Sequence, residues 1–563
     1  MADIEKAGAA KAPSVSVSTK TRPMLAKSHA HASDIPGTVN LAAIDGETTG
    51  YGQALFPVPA QDPNDPLQWP QWKKNAILVI CSIYSFLGNS ALVGPSVYIS
   101  TFAELFDVSE VQASHLVSYS NLAFGFSALL LVPMYHKFGR RPIMLLSLLI
   151  YTFGLLGAAR ATSYSGLMAA RIIHSFGAGV CEAIPVQLVN DIFFLHERGT
   201  RLGYYTMALC LGATGPLYAG YMLGAGYSWR LFFYVEFAFA AALTIASFLL
   251  VEETYYVRKS ATAAAAGAPK AEAEAAPDAA PLDAIAEAAD GRSSSASSAT
   301  IPPRRPFTST LKVWGVWDHD SDFFIMMARS FTYFLVPHVF WVVTTYGIFI
   351  GLSAFTFNYT FPLLITAPPY NWPSSSSGLI AVGTITGYFL ALPFFSSSDR
   401  LAARLTRKNG MVREAEMRLG VMLPAMVLSP AGLILYGLAA EHRLHWITYF
   451  IGVAMSQFAA FFFFTFTLAY AIDSYTANVS EMLIAMNLGK QAISFGMSLN
   501  LLAWILDNGY AVTISGIFGA LVVLNNLALI PFMVWGKRIR IFMARTWLAK
   551  VHRDSIREVG ATA

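Results

Sequence analysis

An all-α membrane protein of two six-helix bundles is the fold class that this sequence predicts, and three observations predict it. Of its 563 residues 55% are hydrophobic and only 13% charged, about half the charge of an average soluble domain. Twelve apolar stretches each come near the ~20 residues that a helix needs to cross hydrocarbon. A long low-complexity interval then divides the twelve into six and six. The formal charge of +4 is too small for this length to point to nucleic acid. The cysteines Cys81, Cys181 and Cys210 all fall in apolar stretches, without the spacing of a disulfide framework or a zinc site.

In chain order, residues 1–71 are rich in Ala, Ser, Pro and Thr and lack helical or strand periodicity, which predicts a disordered tail. Their start, MADIEKAGAAKAP, has no apolar h-region, so the expectation is that no signal peptide is cleaved and that the first span directs insertion. An N-terminal bundle is expected over 72–252, with spans at about Asn75 to Ser100, Ala113 to Tyr135, Ile143 to Ala161, Gly166 to Asn190, Leu202 to Gly226 and Leu231 to Val251. Residues 253–321 centre on ATAAAAGAPKAEAEAAPDAAPLDA and read as a largely disordered linker. From Asp322 the run DFFIMMARSFTYFLVP is broken by Arg329 and Pro337, which suits a helix lying at the membrane surface. It opens a C-terminal bundle over 322–536, with spans at about His338 to Ile365, Gly378 to Phe395, Leu419 to Ala439, Trp446 to Ile472, Met482 to Leu506 and Val512 to Trp535. A short basic tail, 537–563, follows.

Lys and Arg resist translocation, so the loops that hold them mark the cytosolic side. Loop two holds Lys137, Arg140 and Arg141, loop four Arg198 and Arg201, and loop eight Arg400, Arg404, Arg407, Lys408, Arg413 and Arg418, whereas loop one is acidic (Glu104, Asp107, Glu110). Both termini and the linker are therefore expected in the cytosol, with the plasma membrane as the expected location. Six spans, a cytosolic linker and six spans is a layout that secondary transporters use, two similar bundles rocking about a midplane site. The basic loops after spans two and eight fit such an internal repeat.

Span four places charge where it is costly. It holds Arg171 and Glu182, and an ionisable group at bilayer depth costs about 2.5–3.5 kcal/mol even on lenient insertion scales. On an uninterrupted α-helix these two side chains share one face, roughly 16 Å apart along the axis, with Ser175 and Ala178 in the same small-and-polar stripe. Function is the default reading of charges so placed, against a permanent structural ion pair or an Arg171 that snorkels at the end of its span. His174 and His115 are ionisable near neutrality, although a lone His on an apolar helix is more often a packing residue.

The loop YHKFGRRP, the ARIIHSFGAG opening of span four, GATGPLYAG in span five and WRLFF at span six together resemble the major facilitator superfamily. Within it, DPNDPLQWP, DIFFLHERGTRLGYY, EETYYVR and AIDSYTANVSEML resemble the fungal twelve-span drug:proton antiporter group and its relatives, over roughly Asp62 to Trp535. The resemblance implies the major facilitator fold with pseudo-two-fold symmetry. It also implies that Arg171 takes part in proton coupling, although His174 and Ser175 stand where Gln and Gly are usual. Glu182 is then the leading proton-carrier candidate, because a guanidinium can depress or release the pKa of a carboxylate as access alternates. In loop two the family's basic end survives as Gly139, Arg140 and Arg141, but His136 replaces the acid that helps latch the two halves, while Asp399 and Arg400 remain in loop eight. The small-residue run Gly212, Gly215, Pro216 and Gly220 suits a hinge or a close-packed seam, and in the family this run marks antiporters.

Polar groups in the remaining spans outline a candidate substrate cavity: Asn358 and Tyr359 in span seven, Tyr388 in span eight, Gln457 in the aromatic span ten, Asn487, Lys490 and Gln491 in span eleven, and His115 in span two. Lys490 either snorkels or meets an anionic group. There is no GxxxxGK[ST] loop and so no sign of ATP hydrolysis, and no catalytic, metal-ligand or cofactor pattern. The sequence thus predicts a transporter, not an enzyme. Its expected partners are a small organic substrate, protons and the lipid bilayer, with no nucleic acid, and the chain is expected to act as a monomer. Export of a drug-like compound or secondary metabolite against protons is the first expectation. Import of an organic cation or polyamine with protons is the alternative.

Overall fold

A computed structural model describes residues 38–40, 62–256, 305–314, 317, 322–394, 397–410, 412–475 and 479–552. Most of the expected disordered tail and linker, and the end of the basic tail, lie outside the described residues. Among them, ten helical runs are long and apolar enough to cross a membrane. They are span one (Gln71–Phe106), two (Glu110–Phe138), three (Arg140–Ala159), four (Tyr164–Ile192), six (Arg230–Leu250), seven (Pro337–Thr366), eight (Ser374–Phe394), nine (Ala415–Glu441), ten (Ile447–Ser474) and twelve (Ala511–Ala544). Span five is split into Leu195–Gly212 and Gly215–Gly224, and span eleven into Val479–Ser498 and Leu501–Asn508. The expected interfacial helix is Phe323–Thr332.

Prolines explain where the helices deform. Pro185 has no N–H to give to the Cys181 carbonyl four residues earlier, and the chain narrows to a 3₁₀ turn over Gly179–Glu182 before resuming as Ile184–Ile192. The freed carbonyl accepts from Ser85 Oγ and Tyr205 OH, both at 2.8 Å. In the same way Pro95 strips the Ala91 carbonyl of its donor where span one changes to a 3₁₀ turn over Gly94–Tyr98. Spans seven, ten and twelve each contain a π-helical stretch, at Phe349–Ala354, Phe463–Thr467 and Ala511–Phe518, a distortion often found at functional sites.

The internal repeat is visible at the face that carries the basic loops. Arg140 pairs with Asp191 at the end of span four (3.3 Å), and Arg418 and Arg413 pair with Asp473 at the end of span ten (2.8 and 3.5 Å). Glu253 accepts from the backbone N–H groups of Arg140 and Arg141 at 3.0 and 3.2 Å, covering unpaired donors at the start of span three. The acids of EETYYVR thus cap and tether the N-terminal half, and Lys73 binds Glu252 at 2.6 Å.

One segment of the N-terminal tail forms regular structure. Thr38–Asn40 forms a strand antiparallel to Val412–Glu414 in loop eight, with Thr38 opposite Glu414. Arg540, on the end of span twelve, is completely buried beneath this ribbon and binds Glu414 and Glu416 at 2.7 and 2.6 Å. Burial opposes the charge of Glu414, yet hydrogen bonds from Lys537, Arg540 and Thr38 hold its carboxyl below the usual range. His552 docks between Thr332 and Tyr475, each 2.8 Å away, and burial, aided by nearby Arg329, pushes its ring down to about 4.

Candidate functional site

A cavity of about 420 Å³ lies between the two halves, lined by spans one, two, four and five on one side and seven, eight, ten and eleven on the other. Its volume falls within the ~300–1,000 Å³ usual for small-ligand sites. It reaches toward the basic-loop face, where Leu202, Ser398 and Arg418 belong to its wall. On the opposite face the halves are packed together.

The 3₁₀ turn of span four delivers Glu182 to this wall, and the charge it meets is Lys490 of span eleven, to which it is hydrogen-bonded. The two side chains are only 10% and 8% exposed. The Lys490 ammonium also lies 5.6 Å from the centre of the Tyr346 ring, within cation–π range. Tyr346 is itself held by a 2.7 Å bond to the Phe464 carbonyl in the π-helical part of span ten. Arg171, the partner expected from an uninterrupted helix, does not bond to Glu182. It donates instead to Leu116 O (2.8 Å), Leu92 O (2.9 Å) and Ala91 O (3.4 Å), serving the carbonyl that Pro95 leaves open. Even an ideal helix would set the two roughly 16 Å apart along its axis, beyond the reach of a direct bond, and the 3₁₀ turn before Pro185 also ends the shared helical face.

Around the ion pair, Asn358, Tyr388, Gln457, Asn487 and Gln491 all line the cavity as the sequence predicts. Tyr388 donates to Gln457 Oε1 at 2.9 Å. Asn89 and Asn121 join them without having stood out in the sequence, since a single Asn in an apolar span has no distinguishing pattern. Asn121 Oδ1, Gln491 Oε1, Asn487 Nδ2 and Thr465 Oγ1 are buried without a hydrogen-bond partner. Buried polar atoms normally find partners, so the wall offers both donors and acceptors to a guest.

Two expected cavity residues lie elsewhere. His115 bonds to Leu499 O at 3.2 Å, and Tyr359 contacts Ser118 at 3.3 Å and stacks on Phe355. Neither is part of the cavity wall; both sit in the closed seam between spans two, seven and eleven. His174 packs its ring against Tyr151 and Phe233 and meets Ser175 at 3.4 Å. His136 is half-buried, with its ring edge-on to that of Tyr135. Arg140 and Arg141 make their bonds within the N-terminal half, the latter to Phe248 O at 2.6 Å. Gly139 has φ +97°, and a Cβ there would come within 2.7 Å of Glu253. Arg400 is exposed, and the side chain of Asp399 lies outside the described residues.

The small-residue run of span five serves two contacts. A Cβ on Gly212 or Gly215 would strike the span-one backbone at 2.6 Å, and one on Gly220 would strike Gly378 N of span eight at 2.7 Å. In return, a Cβ on Gly378 would lie 2.0 Å from Pro216 O. Pro216, at the start of Gly215–Gly224, therefore sets the piece of span five that closes the seam. Overpacking costs about 1–3 kcal/mol, so Gly378→Val is expected to slow transport about tenfold or more while the folded yield is retained. Gly496→Ala, with nothing within 4 Å of its Cβ, serves as the control and is expected to transport normally.

One acid escaped the sequence reading. Glu236 in span six is 1% exposed and is surrounded by Ser90, Tyr218 and Tyr151. A lone carboxyl in LFFYVEFAF was the available signal.

A family model described as Major Facilitator Superfamily matches residues 78–506. Protein HOL1 of Saccharomyces cerevisiae is 24% identical, over 93% of this chain and 99% of that protein. The probable efflux pump mfs2 of Aspergillus flavus is 26% identical, over 72% of this chain and 89% of that protein. The efflux pump FUB11 of Gibberella moniliformis is also 26% identical, over 74% of this chain and 65% of that protein. Among solved structures, the xylose transporter XylE from E. coli in a partially occluded inward-open conformation has a TM-score of 0.53 at 14% identity, covering 81% of this chain and 99% of XylE.

Proposed function

The chain belongs to the major facilitator superfamily, and from that premise we propose that this multi-pass membrane transporter is proton-coupled and exports a small organic compound by alternating access of its central cavity. The observation that carries the reading is the Glu182–Lys490 bridge, a carboxylate and an ammonium from opposite halves joined in the cavity wall. With the basic loops and both termini in the cytosol, the closed seam faces outward and the cavity is open to substrate from within. The plasma membrane is the proposed location.

Coupling follows from separating that pair. When the halves rock and the outer seam opens, Glu182 loses its counter-charge. An unpaired carboxylate in a largely apolar wall is costly, so it takes up a proton from outside. On the return stroke Lys490 approaches again, stabilises the ionised form and expels the proton to the cytosol. Each cycle moves substrate out and a proton in.

The wall also bears on the cargo. Glu182 is the one carboxylate among the described lining residues, and Lys490 already neutralises it. Arg418 is likewise bound, to Asp473. The remaining contacts are aliphatic side chains, amides, hydroxyls and rings, among them those of Tyr346, Phe349, Phe355, Tyr388 and Phe464. These suit an uncharged, partly aromatic molecule with hydrogen-bonding groups. The names of the Aspergillus and Gibberella relatives support efflux. The second reading, uptake of an organic cation or polyamine, has Glu182 in its favour, because a cation able to displace Lys490 would find a carboxylate there.

Vesicles containing the purified chain test both. A proton gradient is expected to concentrate an uncharged aromatic dye such as Nile red, and Glu182→Gln is expected to abolish gradient-driven accumulation while dye binding persists. Full-rate, gradient-driven transport by Glu182→Gln would falsify the coupling role. Accumulation of spermidine in place of the dye selects the second reading.

A further inference from the structure

Glu236 lies away from the cavity, in the half of span six nearer the closed seam. Its Oε1 accepts from Ser90 Oγ of span one at 2.7 Å and from the Tyr218 hydroxyl of span five, and its Oε2 is 3.4 Å from the Tyr151 hydroxyl of span three. Tyr151 has a nearer acceptor, the Leu87 carbonyl at 2.9 Å. A tyrosine that gives its one proton to Leu87 has a lone pair left for Glu236. The arrangement is thus fully satisfied when Oε2 carries a proton: Glu236 donates to Tyr151, Tyr151 donates to Leu87 O, and Ser90 and Tyr218 donate to Oε1.

Among the described residues, none around Glu236 is paired with it as a counter-charge. On span four, His174 faces Tyr151 and Phe233 at ring distances of 6.3 and 6.4 Å. Arg171 is committed to the carbonyls of Leu116, Leu92 and Ala91. On span one, Tyr84 faces Tyr151 at 6.4 Å, and Tyr98 donates to Ala219 O at 3.0 Å. Arg230 and Arg141 lie at the two ends of span six, bound to Ala161 O and Phe248 O. None of them forms an ion pair with Glu236, and an isolated ionised carboxylate in such a place is far costlier than its neutral form.

The cage also has a mechanical connection. Tyr218 belongs to Gly215–Gly224, the piece of span five whose Gly220 and Gly224 pack against Gly378 and Ser375 of span eight. Whatever holds Tyr218 against span one also holds the outer seam shut.

We propose that Glu236 is a second proton-binding site, whose protonation docks the Gly215–Gly224 segment on span one and favours closure of the outer face. Opening of the seam admits water to Glu236, which then ionises, so by linkage external acid shifts the protein toward the outward-closed state. The device acts on the conformational equilibrium and does not require Glu182 to carry protons.

Spin labels on Thr162→Cys and His442→Cys, two exposed positions in loops three and nine, report the outer separation in the full-length chain in nanodiscs, and the three native cysteines are buried. In a Glu182→Gln background, which removes the opposing proton uptake that the coupling step assigns to the outward-open state, the short-distance population is expected to rise as pH falls. Glu236→Gln, a permanently neutral mimic, is expected to hold that population at its acid level at every pH in the same background. Tyr218→Phe removes a donor that favours the ionised carboxylate more than the acid, so the midpoint should move up by about one pH unit. An unchanged midpoint in Glu236→Gln or Tyr218→Phe overturns the proposal, and Tyr218→Phe decides alone should Glu236→Gln fail to fold. Loss of the response in Glu182→Gln also overturns it, and places the pH sensing in the cavity. Failure of dye accumulation with the Glu236 response intact counts against the export reading alone.

Discussion

Lys490→Met is expected to lower the melting temperature and abolish proton-driven transport together. The side chains of Lys490 and Glu182 are 8% and 10% exposed, so removing the ammonium strands a carboxylate in a wall that offers it no other cation among the described lining residues except Arg418, which is already bound to Asp473. Breaking one side of a buried pair costs about 3–5 kcal/mol, whereas replacing both members with well-packed neutral groups is often neutral. The double variant Glu182→Gln with Lys490→Met is therefore expected to recover most of the lost stability but none of the coupling. Thermal unfolding in detergent and gradient-driven uptake in vesicles read the two effects separately. Equal melting temperatures for the single and double variants would show that the pair is not energetically closed on itself.

Arg540→Met is expected to cost stability on a similar scale at the basic-loop face, where Arg540 is not part of the cavity wall. Arg540 has no exposed side-chain surface and holds both Glu414 and Glu416. Its loss leaves two partly buried acids with Lys537, bound to Glu414 at 2.6 Å, as their remaining ion-pair partner among the described residues. A cost of about 3–5 kcal/mol is again expected. Arg540 also donates to Thr38 at 3.2 Å, so the strand Thr38–Asn40 should come loose, and limited proteolysis near this strand should accelerate at temperatures where the parent resists. The pH signature has a definite sign. Because Glu414 is held below the ordinary carboxylate range in the folded state, its contribution is present above its unfolded value and is lost as pH falls through the folded one. The parent should therefore lose stability in acid, and Arg540→Met should lose less of it there, having less to lose.

Much of this architecture can be read in the residues themselves because a bilayer constrains sequence so strongly. Each span must satisfy its own backbone, so hydrophobic length alone locates it, and ten runs recur at their predicted places, although span one continues beyond Ser100 to Phe106 and span twelve beyond Trp535 to Ala544. Polar side chains in apolar spans are costly enough that Asn358, Tyr388, Gln457, Asn487, Lys490 and Gln491 could be singled out, and all six reach the cavity wall. The same reasoning stops at single residues in the most apolar settings, and so it passed over Asn89, Asn121 and Glu236. It also admitted His115 and Tyr359, whose polarity is used up in the closed seam.

Sequence by itself determined the fold class, the order of the spans, the family resemblance and the presence of Arg171, Glu182 and Lys490 within the membrane. Tertiary structure alone decided who meets whom. Periodicity assumes a continuous helix, and Pro185 and Pro95 interrupt the two that matter: one break turns Glu182 toward Lys490, and the other opens a carbonyl that Arg171 fills. Pairing across 308 positions of chain depends on how two bundles pack, and no local pattern of residues encodes that distance.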